Sequence, residues 1–472
     1  MKVNLTTGAY SSRSLIASAQ RCVNLYPEKN PEDAPFPTTY YPTPGLKRRG
    51  TTTYNVWRCL YTATNGRVLG VIGQKVVNVN ADGTFTDVGL MVGTALTPCY
   101  MADNGTSVVL VDGSPAGYTI DLVNLTFAQI TDEAFYGSDR VDIVDGYFLF
   151  NRPGTQQFYI SLLNKTNFDP LDFASKAGAP DLLVGVMATR RNVFLFGEAT
   201  TEIWTNTGGS AFTFSRVSGT FLQFGCAAKH SLAQADGSIY WISQTPQGSR
   251  MVMRTMNYDR QRVSNFAIEA EFQTYSKVDD AIGWVEQFSG HFWYVLTFPT
   301  ANKTWVFDIS ADEWFERAAL LPSGEFTRHR ANCYTFALGS VHLVGDYESG
   351  NLYELSQDQY TDDGDEIRRV RSFPHLLNDG KRVVYTQLQA AMQVGAAGVG
   401  QEAEIRLRWS DTKGYSWQGV TSATLGARGE YIHDVRFLRL GMARDRVFEL
   451  SWTAAFPTAL NGAFLQLIPS AT

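Results

Sequence analysis

Short apolar runs broken by turn residues recur along most of the chain. The stretch RVLGVIGQKVVNVNADGTFTDVG, residues 67–89, is a clear case, with turns at Gly73 and at Asp82-Gly83. Similar β-rich hairpins follow from Thr106, Asp145, Asn192, Gly237, His291 and Ser340. With Leu69, Val109, Phe148, Phe194, Tyr240, Trp293 and His342 as equivalent points, the steps are 40, 39, 46, 46, 53 and 49 residues. Such a period of small up-and-down sheets predicts a β-propeller of six or seven blades across residues 51–357. One blade cannot bury both faces of its sheet, so stacking against neighbours supplies the missing contact. A large β-sandwich also yields many short strands, but it has no reason to keep this step. Helical periodicity is almost absent, and the fold class is all-β.

Two flanking regions break the period. Residues 1–50 hold Pro27, Pro31, Pro35, Pro37, Pro42 and Pro44. Proline removes backbone donors and favours extended chain, so this part reads as an extended arm lying on another surface. Residues 358–380, opening DQYTDDGDEIRRVR, are charged and turn-rich and read as a linker. From 381 to 472 strand character returns. In EIRLRWS, apolar Ile405, Leu407 and Trp409 alternate with Glu404, Arg406 and Arg408. That period of two marks a sheet with one buried and one wet face, and predicts a C-terminal β-sandwich-like domain.

Charge narrows the function. The 472 residues carry 40 basic and 46 acidic side chains, a net of −6. Gripping nucleic acid needs clustered Lys and Arg, so if DNA is near this protein it is expected to pass by without sequence-specific binding. The five cysteines are scattered and form no C-x-x-C pair, which predicts free thiols and assembly in a reducing cytoplasm. The N-terminus shows no apolar signal region, and no run of about 18 apolar residues predicts a membrane span.

Candidate chemistry is thin. Asp279 and Asp280 are neighbours, and adjacent residues of a strand point to opposite faces. Asp308 and Asp312 lie near Trp314, and Asp362, Asp363, Asp365 and Glu366 form a loose acidic loop without EF-hand spacing. The six histidines form no zinc-ligand pair, and His329 with Cys333 lacks partners. The string GAAGVG, residues 395–400, has no following helix to make a phosphate cradle. No catalytic, metal or cofactor residue is assigned. Arg368, Arg369 and Arg371 form a tight basic cluster. It predicts either a contact with a neighbouring subunit or the DNA channel, or local pairing with the acids of 362–366.

The octet SDTKGYSW, residues 410–417, lies one position away from the Asp box of propeller glycosidases. It raises a glycosidase or depolymerase, or a carbohydrate-binding propeller, as alternatives. One degenerate copy outside the propeller repeat favours a plain hairpin turn instead. In it Asp411 accepts backbone N–H groups, Gly414 takes a positive φ and Trp417 plugs the sheet.

Both ends carry more specific motifs. Gly8, Tyr10, Arg13 and Ser14 precede the core Gln20 to Glu28, which includes Arg21, Cys22, Asn24, Leu25, Tyr26, Pro27 and Glu28; Thr43 to Leu46 follow. At the far end stand Arg371-Ser372, Pro374, Lys381-Arg382, the octet, and the run Arg439, Leu440, Gly441 to Glu449. In these motifs the chain resembles the packaged-DNA stabilisation proteins of short-tailed phages, the tail hub or nozzle proteins. It departs at Thr412-Lys413, where Asp-Gly or Gly-Gly often stands. The resemblance implies a non-enzymatic virion part, typically a hexameric ring below the portal and adaptor. Such a ring would extend the channel for DNA, help retain packaged DNA, and present surfaces to tail fibres, tailspikes or a needle.

Overall fold

A computed structural model describes residues 1–5, 10–245, 247–398 and 401–469. Gly8 of the N-terminal motif, the end of the GAAGVG loop and residues 470–472 lie outside the described residues. Six blades are each built from one continuous stretch of chain, all with four strands in a row and the fifth with one short extra strand, Ala233–Ala235. Blade 1 comprises Trp57–Thr62, Val68–Ile72, Lys75–Val79 and Phe85–Leu90. Blades 2 to 6 follow within residues 100–129, 141–175, 183–222, 225–262 and 282–316. A seventh sheet closes the circle: Ala331–Ala337, Val341–Asp346 and Leu352–Ser356 take Gly45–Gly50, from the N-terminal region, as their outer strand. Joining both ends of the repeat in one blade stops the ring from springing open.

Apolar residues alternate between the two neighbours of each blade. Val71, Val76, Val108 and Leu110 pack together between blades 1 and 2, and Val109, Val111, Phe148 and Phe150 between blades 2 and 3. Trp57 of blade 1 is fully buried against blade 7, where a side chain on Gly345 would collide with it. The longest sequence step, 53 residues, has a structural cause. An α-helix, Phe266–Thr274, is inserted between blades 5 and 6. Asn265 caps it, its side chain accepting from the N–H of Ala267 and of Ile268.

The flanking regions depart from expectation. Residues 1–50 do not form an arm: Lys2–Asn4 pairs with the C-terminal strand Leu460–Pro469, and Leu25–Lys29 forms a hairpin with Thr38–Pro42. The prolines lie at strand ends, on an edge strand and in the intervening loop, where a missing donor costs little. Nor is 358–380 a linker, because Arg368–Ser372 lies inside a ten-stranded sheet. That sheet runs from the four strands of blade 6 through Cys22–Val23 and Arg368–Ser372 to Asp445–Thr453, Glu404–Ser410 and Gln418–Thr424. Val370 is buried on it while the charges flanking the strand gave the segment its polar look. The second sheet of the C-terminal sandwich is built on Val383–Met392, Val435–Leu438 and Leu460–Pro469, and the N-terminal hairpin joins it.

Candidate functional site

The N-terminal motif is the seam between propeller and sandwich. Cys22–Val23 bonds blade 6 through Glu316 on one side and Arg368–Ser372 on the other. Asn24 ties the same three parts. Its amide donates to the carbonyls of Ala318 (2.8 Å) and Arg368 (2.9 Å), and its side-chain oxygen accepts from Ala318 N–H (2.8 Å). Asn24 has φ +57°, a conformation in which asparagine is among the better-tolerated residues. Arg21 bonds the buried Glu316 carboxylate and stacks on Phe326. Lys303 reaches that carboxylate as well (2.8 Å). Burial alone would raise the Glu316 pKa, but the two cations hold it below the usual range.

The rest of the motif is packing. Cys22 and Leu25 are fully buried, and burial pushes the Cys22 thiol up to about 12, so it is no nucleophile. Tyr26 packs on Trp293 and His291 of blade 6. Pro27 and Glu28 sit in the hairpin opposite Tyr40 and Thr39.

The arginine cluster divides: Arg369 feels the charge of the buried Asp362, one of the acids just upstream, while Arg368 stays partly open. Arg369 and Arg371 are fully buried, so within this chain they face neither DNA nor solvent. Arg369 donates to the carbonyls of Ala454 (2.9 Å) and Tyr360 (3.2 Å); Arg371 bonds Tyr40 and Gln20. Arg368 reaches the Gly324 carbonyl and lines a cleft of about 610 Å³ between propeller rim and sandwich. Of the other nearby acids, Asp363 pairs with Arg48 and Asp365 with Arg330.

The octet is a turn, but its parts divide their work differently from expectation. Ser410 accepts from the N–H of Thr412 and of Gly414. Asp411 instead holds Arg446 with two bonds of 2.6 Å. Gly414 has φ +95° and abuts Ala19 of the N-terminal segment. Trp417 does not plug the sheet; it is half-exposed, under the Arg408 guanidinium. Arg439, Leu440 and Gly441 form the next turn, Arg439 at φ +59° and Gly441 at φ +78°, and the Leu440 carbonyl receives Arg446.

The residues weighed for catalysis do not converge. Asp308 is fully buried and satisfied by His291, Trp293 and the N–H of Ser310 and Ala311. Asp280 accepts from Thr300 N–H, and Asp279 is exposed beside Lys277. His329 is buried, accepting weakly from Ala331 N–H. Among the described residues no group of three His, Cys, Asp or Glu could hold a metal ion.

One feature escaped the sequence: contacts cross the propeller axis. Tyr100, at the start of the inner strand of blade 2, bonds His230 of blade 5 (2.9 Å). Asp139, beside blade 3, bonds Lys229 of blade 5 (2.6 Å). Between them Arg140 is buried, stacks on Tyr100 and donates to the carbonyls of Lys229 and Leu232. Burial and these two cations push the His230 pKa down to about 3, so it stays neutral. Non-adjacent blades are thus joined at one end of the channel. Each residue looks like an ordinary polar loop position, and only the closed ring brings them together.

Among solved structures, a catalytically inactive virginiamycin B lyase from Staphylococcus aureus, crystallised with quinupristin, is similar at 9% identity with a TM-score of 0.44. The alignment covers 66% of this chain and 98% of the lyase chain. A chain of a mitotic checkpoint complex aligns at 11% identity and TM-score 0.41, over 70% of this chain and 95% of that one. No curated protein sequence matches. A family model described as the β-propeller of bacteriophage P22 Gp10 matches residues 1–360, which include the N-terminal seam and all seven blades. The chain belongs to that family of phage structural β-propeller proteins.

Proposed function

We propose that this chain is the tail hub, or nozzle, of a short-tailed phage. Several copies form a ring, with six as the expected number, below the portal and adaptor. The ring extends the DNA channel, helps retain packaged DNA, and carries fibres, spikes or a needle. It is assembled in the host cytoplasm and performs no catalysis.

The seam at Asn24 supports this reading most directly. It joins the strand that leaves blade 6 at Ala318, the N-terminal motif and the sandwich sheet at Arg368 by three short hydrogen bonds. A conduit wall under pressure from packed DNA needs such a stiff body, whereas an enzyme would need convergent reactive groups. The contacts across one end of the axis fit too, since duplex would run in the lumen enclosed by several copies and not through one propeller. An overall acidic surface discourages the passenger from sticking.

The test is to add purified chain to DNA-filled heads that carry portal and adaptor but lack this protein. Heads with the chain should keep their DNA through a nuclease challenge and become infectious once the remaining tail parts are added. Heads that hold their DNA and infect equally well without it would end the proposal.

A further inference from the structure

The outer face of the second sandwich sheet is unusually apolar at one end. Val384 is the register partner of both Ile468 and Met442, so three apolar residues form one row across three strands. Leu438 lies on the same face, opposite Gln387. Ile468, Met442 and Leu438 are 57%, 46% and 60% exposed, although the inward positions Val383, Leu388 and Leu465 already supply the core.

Cations surround that row. Lys381 and Arg382 immediately precede the strand carrying Val384. Arg439 follows Leu438, and Arg444 follows the pair Met442-Ala443. All four are exposed, and none has a carboxylate partner among the described residues; Arg444 reaches only the Gly380 carbonyl. Of the nearby acids, Asp379 is exposed, Asp445 is bonded to His375 and Asp434 to Arg436. The patch is therefore basic on a chain whose net charge is −6.

We propose that this face docks a second copy of the same chain, which rests on the reading of the chain as a multi-copy hub. An apolar centre with a charged rim is the anatomy of a protein interface, while a phosphate backbone would gain nothing from Ile468, Met442 and Leu438. Over the whole chain acidic residues outnumber basic ones, 46 to 40, so a second copy offers acidic surface of the complementary sign. The rim has one sign, so two copies cannot meet there face to face about a twofold axis. The patch must meet a different surface of its neighbour, and such head-to-tail contacts form a ring where the rotation between neighbours closes.

Sedimentation velocity of the full-length chain over a wide concentration range, at roughly 0.05 M and 0.5 M salt, tests this. The wild type should associate with rising concentration, more weakly at high salt. Met442→Glu and, separately, Lys381→Glu with Arg382→Glu should weaken association about tenfold or more while leaving the melting temperature unchanged. Random-sequence duplex DNA is included as a competitor probe. A wild type that stays monomeric throughout, or variants that associate as the wild type does, would overturn the proposal. So would duplex binding that depends on Lys381 and Arg382 while self-association does not. DNA retention by heads is measured separately, so hub function and this interface can fail independently.

Discussion

Asp411 and Arg446 face each other across two strands of the C-terminal sandwich, joined by a pair of 2.6 Å hydrogen bonds. The guanidinium is almost wholly buried and lies over Tyr385 and Trp409. The carboxylate is therefore the counter-ion of a buried cation, and the octet's likeness to an Asp box is one of spelling. Asp411→Ala should destabilise the chain by about 3 kcal/mol, since breaking a buried pair leaves its charge uncompensated. Arg446→Met, which removes the charge and keeps most of the volume, should cost less. Urea unfolding followed by tryptophan fluorescence would check both.

Asn24 carries the seam, and its substitution separates conformation from bonding. Asn24→Gly keeps the backbone free at φ +57° but forfeits all three side-chain hydrogen bonds. It should lose about 2–3 kcal/mol through the buried groups of Ala318 and Arg368 left unmatched. Asn24→Asp should be worse, because a carboxylate would face two carbonyl oxygens. Limited proteolysis should show the propeller and the sandwich separating before either unfolds.

Much of this architecture was legible in the sequence, and the rest was hidden for particular reasons. The propeller followed from its period because each blade repeats the same local hairpin, as Leu69 and Val109 do in consecutive blades. Blade 7 was legible only in part, since its outer strand comes from Gly45–Gly50, some three hundred residues earlier in the chain. The prolines before it suggested an arm because local chemistry says nothing about which distant strand a segment will join. Arg369 and Arg371 misled for the opposite reason. Arginine is rarely buried, so three in five residues read as surface, while the ladder to Asp445–Thr453 takes two of them inside. The seam residues were visible as a motif, but their geometry was not.

Hairpin tips between the first two strands of each blade offer a test of strain. Six of the seven place glycine at positive φ: Gly66, Gly105, Gly146, Gly237, Gly290 and Gly339. Blade 4 has Arg190 and Arg191 there, at φ +49° and +64°. Arg191 bonds Asp145 of blade 3, and Arg190 reaches the Asp236 carbonyl of blade 5. Left-handed arginines cost about 1 kcal/mol each, and an exposed ion pair returns less than that. Replacing the pair with Asn-Gly should therefore raise stability by about 1 kcal/mol, read as a higher urea midpoint with an unchanged slope. A clear loss would mean that the links to blades 3 and 5 outweigh the backbone strain.

Two buried carboxylates give opposite pH signatures. For Glu316, burial opposes ionisation but Arg21 and Lys303 prevail, so its folded pKa lies below its unfolded value. Its contribution is present above the ordinary glutamate range and is lost as pH falls through the lowered folded value. Asp362 is pushed up to about 6, because burial outweighs the attraction of Arg317, Arg330 and Arg369. Its contribution is full below the ordinary aspartate range and is lost as pH rises through about 6. Glu316→Gln should therefore weaken the protein most at neutral pH, the deficit shrinking as the medium turns acid. Asp362→Asn should do the reverse, gaining on the wild type as pH rises from about 5 to 7. Melting temperatures of the three proteins across that range and down to about pH 4 would separate the two. If both variants tracked the wild type in parallel at every pH, neither carboxylate would be titrating as its surroundings require.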